Sequence, residues 1–379
     1  MGITIVSFIA VLNYYYIDIL GIFSHYQSNS NVQQNFTSTI GNKNYLSALI
    51  CVALPFSVGM AVCSKDKIIR IIAYINTSIQ FMGLLVATSD GGFLGVFAAL
   101  ALLLILSARE LKKLTRFCLC LGIMMLSAKI LWIAELISDN GSKGYTSFSD
   151  FFVNSNLVYV IAVVAFGAFA ALTVLGKKNP DFELPAYISY IFLGLTILAV
   201  AVFAGLFIYY TFINTTTRLK GTMRFFRFNE KWGTHRGYFW IKSFEVFGDM
   251  TFFEKLFGTG PETFYFRFTD YFSEMYTKFY ETSTNSAHNV YVNYLVTHGI
   301  LGTAAYITLI VSSVVNAVKR SKASPLAFVC AGVIIAYATQ DIVNIANPVN
   351  TPWLIAFMGL NEATRLRANN EENLALDKF

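Results

Sequence analysis

The sequence predicts an all-α, polytopic integral membrane protein with about ten transmembrane helices and one large external loop. Three observations predict it: a low charge content, apolar residues gathered into runs of membrane-spanning length, and basic residues that alternate between successive connections. Of 379 residues, 55% are hydrophobic and 13% are charged, and the mean hydropathy is +0.55. Soluble domains carry about 25% charged residues, so a single soluble core with a water-exposed surface is excluded. The apolar runs are about 20 residues long, which crosses about 30 Å of hydrocarbon at about 1.5 Å per residue. They fall at residues 3–22, 45–63, 68–88, 91–107, 115–136, 155–176, 186–213, 296–317, 325–344 and 350–364.

The connections fix the expected orientation. Every second one is basic: Lys65, Lys67 and Arg70; Arg109, Lys112, Lys113 and Arg116; Lys177 and Lys178; Lys319, Arg320 and Lys322. The intervening short connections hold only Lys43 and Lys143, a ratio of twelve to two. Short loops rich in Lys and Arg stay in the cytoplasm, which puts both termini inside and the long segment after residue 213 outside. The expected organisation is seven helices over residues 1–213, an external catalytic loop over 214–290, three helices over 291–364 and a cytoplasmic tail over 365–379.

Residues 1–22 read as a helix and not as a signal peptide, because they have no basic leading region and no small-residue cleavage site. Their aromatic end, Tyr14, Tyr15 and Tyr16, suits a membrane interface. The abrupt start leaves room for further helices upstream. Cys51, Cys63, Cys118, Cys120 and Cys330 all lie in or beside apolar runs, where a thiol acts as a small hydrophobe. Cys118-x-Cys120 lacks the spacer and the second ligand pair of a structural zinc site. The formal charge of +6 resides in short loops and reports topology, not nucleic-acid binding.

Most of the polar chemistry is in the long loop, with Arg218, Arg224, Arg227, Lys231, His235, Arg236, Lys242, Glu245, Asp249, Glu254, Glu262, Glu281 and His288 set among aromatics. Histidine can take a proton near neutral pH, so His25, His235, His288 and His298 are the candidate bases. His288-Asn289-x-Tyr291 opens the apolar stretch that runs to Gly299-Ile300-Leu301-Gly302, which puts His288 where a helix meets the outer membrane surface. There it is either a base for a lipid-linked substrate or an interfacial cap; His298, beside Gly299, reads as structural. Arg236 lies in Thr234-His235-Arg236-Gly237-Tyr238-Phe239-Trp240, ahead of a run, Ile241 to Phe247, that has the pattern of an amphipathic surface helix. Its planar fork suits a phosphate or pyrophosphate; a snorkelling interfacial arginine is the plainer alternative. Phe257-Gly258-Thr259-Gly260-Pro261 follows no buried strand and reads as a tight turn.

Taken in order, these motifs resemble the O-antigen ligase and O-antigen polymerase superfamily of bacterial envelope glycosyltransferases. The resemblance spans residues 36–317 and rests on Arg236-x-x-x-Trp240, Gly258-Thr259-Gly260, His288-Asn289-Val290-Tyr291 and Gly299-Ile300-Leu301-Gly302. Thr39-Ile40-Gly41-Asn42-Lys43-Asn44 is similar to the family's earlier Gly-x-x-Asn-Pro-Asn loop, with Lys43 in place of proline. Ser89-Asp90-Gly91-Gly92 stands where many relatives carry Ser-Arg-Gly, so no arginine carries over there. Relatives also commonly have a few more helices before the Asn-rich loop.

The resemblance implies a GT-C-like membrane glycosyltransferase in the bacterial cytoplasmic membrane, active on its outer face and without a cofactor, metal or nucleotide sugar. Its partners would be an undecaprenyl-pyrophosphate-linked glycan donor, a glycan acceptor and the lipid bilayer, with a flippase and a chain-length regulator nearby and no nucleic acid. His288 would draw or orient the acceptor proton and Arg236 would hold the departing pyrophosphate, with Arg224 or Arg227 as a second cation. Asn289, Tyr291, Trp240 and Glu245 would contact substrate, though Glu245 and Asp249, one helical turn apart, read equally well as solvated charges. The leading expectation is a polymerase of lipid-linked repeat units; a ligase shares the motifs. A transporter would place ionisable residues within the spans, and Asp341, Glu135 and Lys129 are few and near span ends. A scaffold leaves the motif order unaccounted for.

The topology has a direct test: in intact cells of a cysteine-free variant, a membrane-impermeant thiol reagent should label a cysteine at 231 and spare one at 321. The reverse pattern would overturn the assigned orientation.

Overall fold

The computed structural model describes residues 1–21, 38–138 and 142–376, with side chains up to Leu366. Among the described residues the chain is helical and carries no strand. The helices are α1 Gly2–Tyr14, α2 Lys43–Cys63, α3 Lys67–Val86, α4 Gly91–Ser107, α5 Leu111–Ile137, α6 Ser147–Asn154, α7 Leu157–Lys178 and α8 Tyr187–Ile208. They continue with α9 Trp232–Asp249, α10 Phe252–Phe257, α11 Phe264–Arg267, α12 Phe272–Phe279, α13 Val290–Arg320, α14 Pro325–Gln340 and α15 Thr351–Leu376.

Every expected apolar run carries a helix, but the runs differ in kind. Among the described residues six helices are long and apolar enough to cross a membrane, α2, α3, α5, α7, α13 and α8 with its π-turn extension to Ile213. Three are shorter apolar helices, α1, α4 and α14. The tenth run opens α15, which continues past Asn361 as polar helix. α13 begins at Val290 and not at 296, and two further boundaries differ from expectation. The first helix stops at Tyr14, where Tyr14 stacks on Tyr145 at 4.8 Å and the Tyr15 hydroxyl donates to the Leu131 carbonyl at 2.9 Å. Of the three tyrosines expected at an interface, only Tyr16 is exposed. The run 325–344 is helical only to Gln340.

The described chain forms two compact units, Met1–Leu195 with Ser313–Gln340 and Pro348–Phe379, and Thr196–Ser312 with Asp341–Asn347. In the first, α2 is the central helix and packs against α3, α4 and α14. Helix ends are capped locally: the Asn42 side chain accepts from the Asn44 and Tyr45 amides of α2, and Asp66 from the Ile68 and Ile69 amides of α3, which satisfies donors no intrahelical carbonyl can reach. Lys129 is buried, and its ammonium donates to the Val153 and Ser155 carbonyls at 2.7 and 2.8 Å.

The second unit contains the long segment between α8 and α13. Its core is made of Tyr238, Phe239, Val246, Met250, Phe264, Phe268, Met275, Ala287, Val292 and Val296. The run Ile241 to Phe247 is helical and two-faced as expected, and its inner face, with Val246, packs into this core. Only its far face, with Phe244, is exposed.

Two glycine motifs are halves of one seam. Gly299 adopts φ 67°, ψ −173° and breaks the helical ladder inside α13, which frees the carbonyls of the preceding turn. The Thr259 and Gly260 amides take them up, donating to Val296 at 3.3 Å and Thr297 at 2.9 Å. Backbones meet so closely that a Cβ at Gly258 would lie 2.2 Å from the Thr297 carbonyl oxygen, and one at Gly299 would lie 2.4 Å from that of Leu256. The segment expected to be a tight turn is therefore a backbone clasp on the kinked helix. His298 sits beside it with its Nδ1 2.8 Å from the Thr297 hydroxyl. Because the clash is with backbone and the φ is positive, Gly299→Ala should cost about 2 kcal/mol or more. Gly194→Ala, where a Cβ meets nothing within 4 Å, should be neutral; thermal unfolding in detergent compares the two, and equal midpoints would refute the clasp.

Candidate active site

Three stretches of the second unit converge: residues 233–240, 284–291 and 341–347. The first opens with three consecutive left-handed residues, Gly233, Thr234 and His235, at φ 59°, 59° and 67°. A β-branched threonine rarely adopts this conformation, so local strain is held here by the surrounding contacts. Gly237 then lets the helix press against the preceding turn, since a Cβ would stand 1.9 Å from the Asn229 carbonyl oxygen.

Arg236, Phe239 and Trp240 lie at i, i+3 and i+4 and so share one face of α9. The Arg236 Nε donates to the Val343 carbonyl at 2.8 Å, and its Nη1 donates to the Gly233 carbonyl. Nη2 makes no hydrogen bond among the described residues. The Phe239 ring stacks on the His288 ring with centroids 5.4 Å apart, and the Trp240 indole donates to the Ala287 carbonyl at 3.1 Å. His288 is itself left-handed, at φ 50°. Asn289 caps α13, its side chain accepting from the Val292 amide at 3.1 Å, and the Asn293 side chain accepts from the Ala287 amide at 3.2 Å. The third stretch closes the arrangement, because the Val290 amide donates to the Asp341 carbonyl at 2.9 Å.

Burial, and then the positive charge of Arg236, push His288 from its usual range down to about 4. Its imidazole is therefore neutral at pH 7 and free to accept a proton or a hydrogen bond. Burial also lowers the Arg236 guanidinium. An anion beside Arg236 would offset the repulsion from the guanidinium, the smaller of these two causes, and leave the effect of burial in place.

The structure brings together Arg236, Trp240, His288 and Asn289 from the sequence-predicted set. Tyr291 follows on the first turn of α13, its ring 5.9 Å from that of Tyr306. Arg227 lies elsewhere in the unit, donating through Nε to the Tyr210 carbonyl at 3.0 Å and through Nη2 to the Asn214 carbonyl at 2.6 Å, which fastens the segment to the chain just after α8. Arg224 is exposed on a 3₁₀ turn. Glu245 belongs to a charge cluster in which Lys242 lies 3.0 Å from it and 3.4 Å from Glu274. His235 stacks on Phe279 at 4.1 Å, and its Nδ1 lies 2.9 Å from the Glu281 carboxylate. His25 lies outside the described residues.

Sequence reasoning missed the third stretch. Val343 contributes only a backbone carbonyl, which no residue type announces. Asp341 is fully buried; one oxygen accepts from the Tyr306 hydroxyl at 2.7 Å, and the other has no partner among the described residues. The signal available was a carboxylate at the end of an apolar run, followed by Asn344, Asn347, Pro348 and Asn350, a composition that favours turns over continued helix.

Residues 145–307 match the family model described as O-antigen ligase, which supports the superfamily indicated by the motifs. The matched region contains Arg236, the glycine clasp and His288, and it stops before residues 341–347. No curated protein matches the sequence significantly. The match supports glycosyltransferase-type activity of the O-antigen ligase kind on a lipid-linked glycan in a membrane.

The position of His288 on the pH scale sets an expectation for rate. If neutral imidazole is required, kcat/KM stays flat as pH falls through 6.5, the ordinary histidine value of about 6.5, and declines only toward about 4. Folding stability is not flat over that window: the unfolded histidine binds a proton that the folded one refuses, so stability falls as pH drops from about 6.5 toward about 4. An acidic limb near pH 6.5 in the wild-type profile, absent from other histidine variants, would contradict the assignment.

Proposed function

We propose that the chain is a polymerase of undecaprenyl-pyrophosphate-linked oligosaccharide repeat units for an O-antigen, capsule or other surface polysaccharide. It works as a metal-independent inverting glycosyltransferase on the outer face of the bacterial cytoplasmic membrane. The observation that carries this reading is the juxtaposition of Arg236, whose Nη2 makes no hydrogen bond among the described residues, and a His288 kept neutral by burial and by that arginine. The acceptor hydroxyl oxygen attacks the anomeric carbon, the bond from that carbon to pyrophosphate oxygen breaks, and the hydroxyl proton passes to His288. Undecaprenyl pyrophosphate leaves with its developing charge held by Arg236, the electrostatic role a metal fills in other pyrophosphate chemistry. Attack from the face opposite the leaving group inverts the anomeric centre. Trp240 and Phe239 fix the two groups relative to each other, and the partially exposed loop around them, residues 214–290 joined by 341–347, receives the substrates. A flippase delivering the donor and a chain-length regulator are the partners this activity calls for.

The ligase reading, transfer of finished glycan to a separate lipid or protein acceptor, is favoured by the description of the matching family model. One assay distinguishes them. Purified protein in liposomes given a lipid-linked repeat unit alone should yield a ladder of polymerised lipid-linked product. Absence of product until a distinct acceptor is added would move the assignment to the ligase. Among the described residues no three His, Cys, Asp or Glu gather to hold a metal ion, and either reaction should proceed in excess EDTA; activity lost there and restored by magnesium or manganese would overturn the cationic mechanism.

A further inference from the structure

A second feature of this unit takes no part in the chemistry proposed above. Phe252, Phe253, Phe257 and Phe266 are 70%, 71%, 64% and 71% exposed, although their segment lies outside every expected span. They are held there and not left loose. Thr251 and Glu254 form a reciprocal capping box on α10, Glu254 pairs with Arg267 of α11, and the Lys255 ammonium donates to the Gly248 carbonyl at 2.7 Å. Phe264 and Phe268 enter the core of the unit, which turns Phe266, between them, the other way. Exposed apolar groups of this size, held in fixed positions, mark an interaction surface.

The neighbourhood identifies the partner. The glycine clasp fixes the end of α10 against the kink of α13, with Gly258 on Thr297 and Gly299 on Leu256. From that kink onward α13 presents exposed Ile300, Leu301, Ile307, Leu309 and Val311 around its circumference, as a helix long and apolar enough to cross a membrane would. The phenylalanines thus stand next to the exposed apolar surface of a helix with the length and composition of a membrane span.

We propose that Phe252, Phe253, Phe257 and Phe266 are seated in the bilayer, at the headgroup and upper acyl region of the leaflet on the loop's side, so that the loop rests on lipid as well as hanging between its spans. Aromatic side chains are suited to that depth. The seat does not depend on the reaction assigned to the site.

Nitroxide labels at cysteines replacing Phe253, Phe257 or Phe266, one per protein in a cysteine-free background reconstituted in liposomes, report depth through collisions with oxygen and with a water-soluble nickel chelate. A label at Thr282, exposed and polar, is the aqueous reference. The proposal expects the oxygen-to-nickel collision ratio at all three positions to exceed that at 282 severalfold. A ratio equal to that at 282 places the patch in water, and low collision rates with both reagents place it against protein, such as a second copy; either overturns the proposal. Should the cysteine-free protein not fold, Phe253→Trp in the otherwise native chain gives the same reading: its added fluorescence should be quenched by lipids brominated near the headgroup and not by iodide, and the opposite pattern refutes the seat. Neither readout needs activity, so failure of the proposed reaction would leave it intact.

Discussion

The candidate site depends on one short piece of backbone. Residues 341–347 leave α14 and supply two carbonyls, Asp341 to the Val290 amide and Val343 to the Arg236 guanidinium. The first holds the start of α13, and with it His288; the second holds the arginine face of α9. Two parts of the chain separated by about fifty residues are thereby set against a third that comes later in sequence. A buried backbone carbonyl needs a donor, so the requirement is mutual: the stretch is held by the site that it organises.

From this arrangement the electrostatics follow. Burial first, and then the guanidinium placed beside it, disfavours the imidazolium, so His288 is neutral. In the reading proposed above, a pyrophosphate at Arg236 offsets the second of these causes and leaves the first in place. No carboxylate pair is required. The aromatic contacts of Phe239 and Trp240 with residues 287–288 keep the two groups from drifting apart, which matters because positioning by itself supplies a large part of a barrier reduction.

Much of the fold was legible because membrane-length runs depend on composition alone, and each expected run is helical. What was misjudged were ends. Tyr14 and Tyr15 turned inward to pack on Tyr145 and Leu131, and the helix expected to reach 344 stopped at Gln340. Both depend on long-range partners that local pattern does not encode. In the site, Arg236 and His288 were legible through motif order, and the glycines through their types. Arg227 shows the limit: sequence could not tell that it bonds the Tyr210 and Asn214 carbonyls while Arg236 bonds those of Val343 and Gly233 beside His288. Glu245 is similar, since a carboxylate near a site and one in a surface cluster with Lys242 read alike in sequence.

The central claim is that Arg236 binds and His288 reacts. Donor affinity and single-turnover rate, both taken from the donor-concentration dependence of His288→Ala in liposomes after its insertion and folding are established, test it most directly. The account predicts affinity close to wild type and a rate lower by about 10²- to 10⁴-fold, the usual span for a lost acid–base group, whereas Arg236→Lys, which keeps the charge but loses the planar fork, should lose affinity. A His288→Ala protein that turned over at the wild-type rate would contradict the account and return His288 to the role of an interfacial cap.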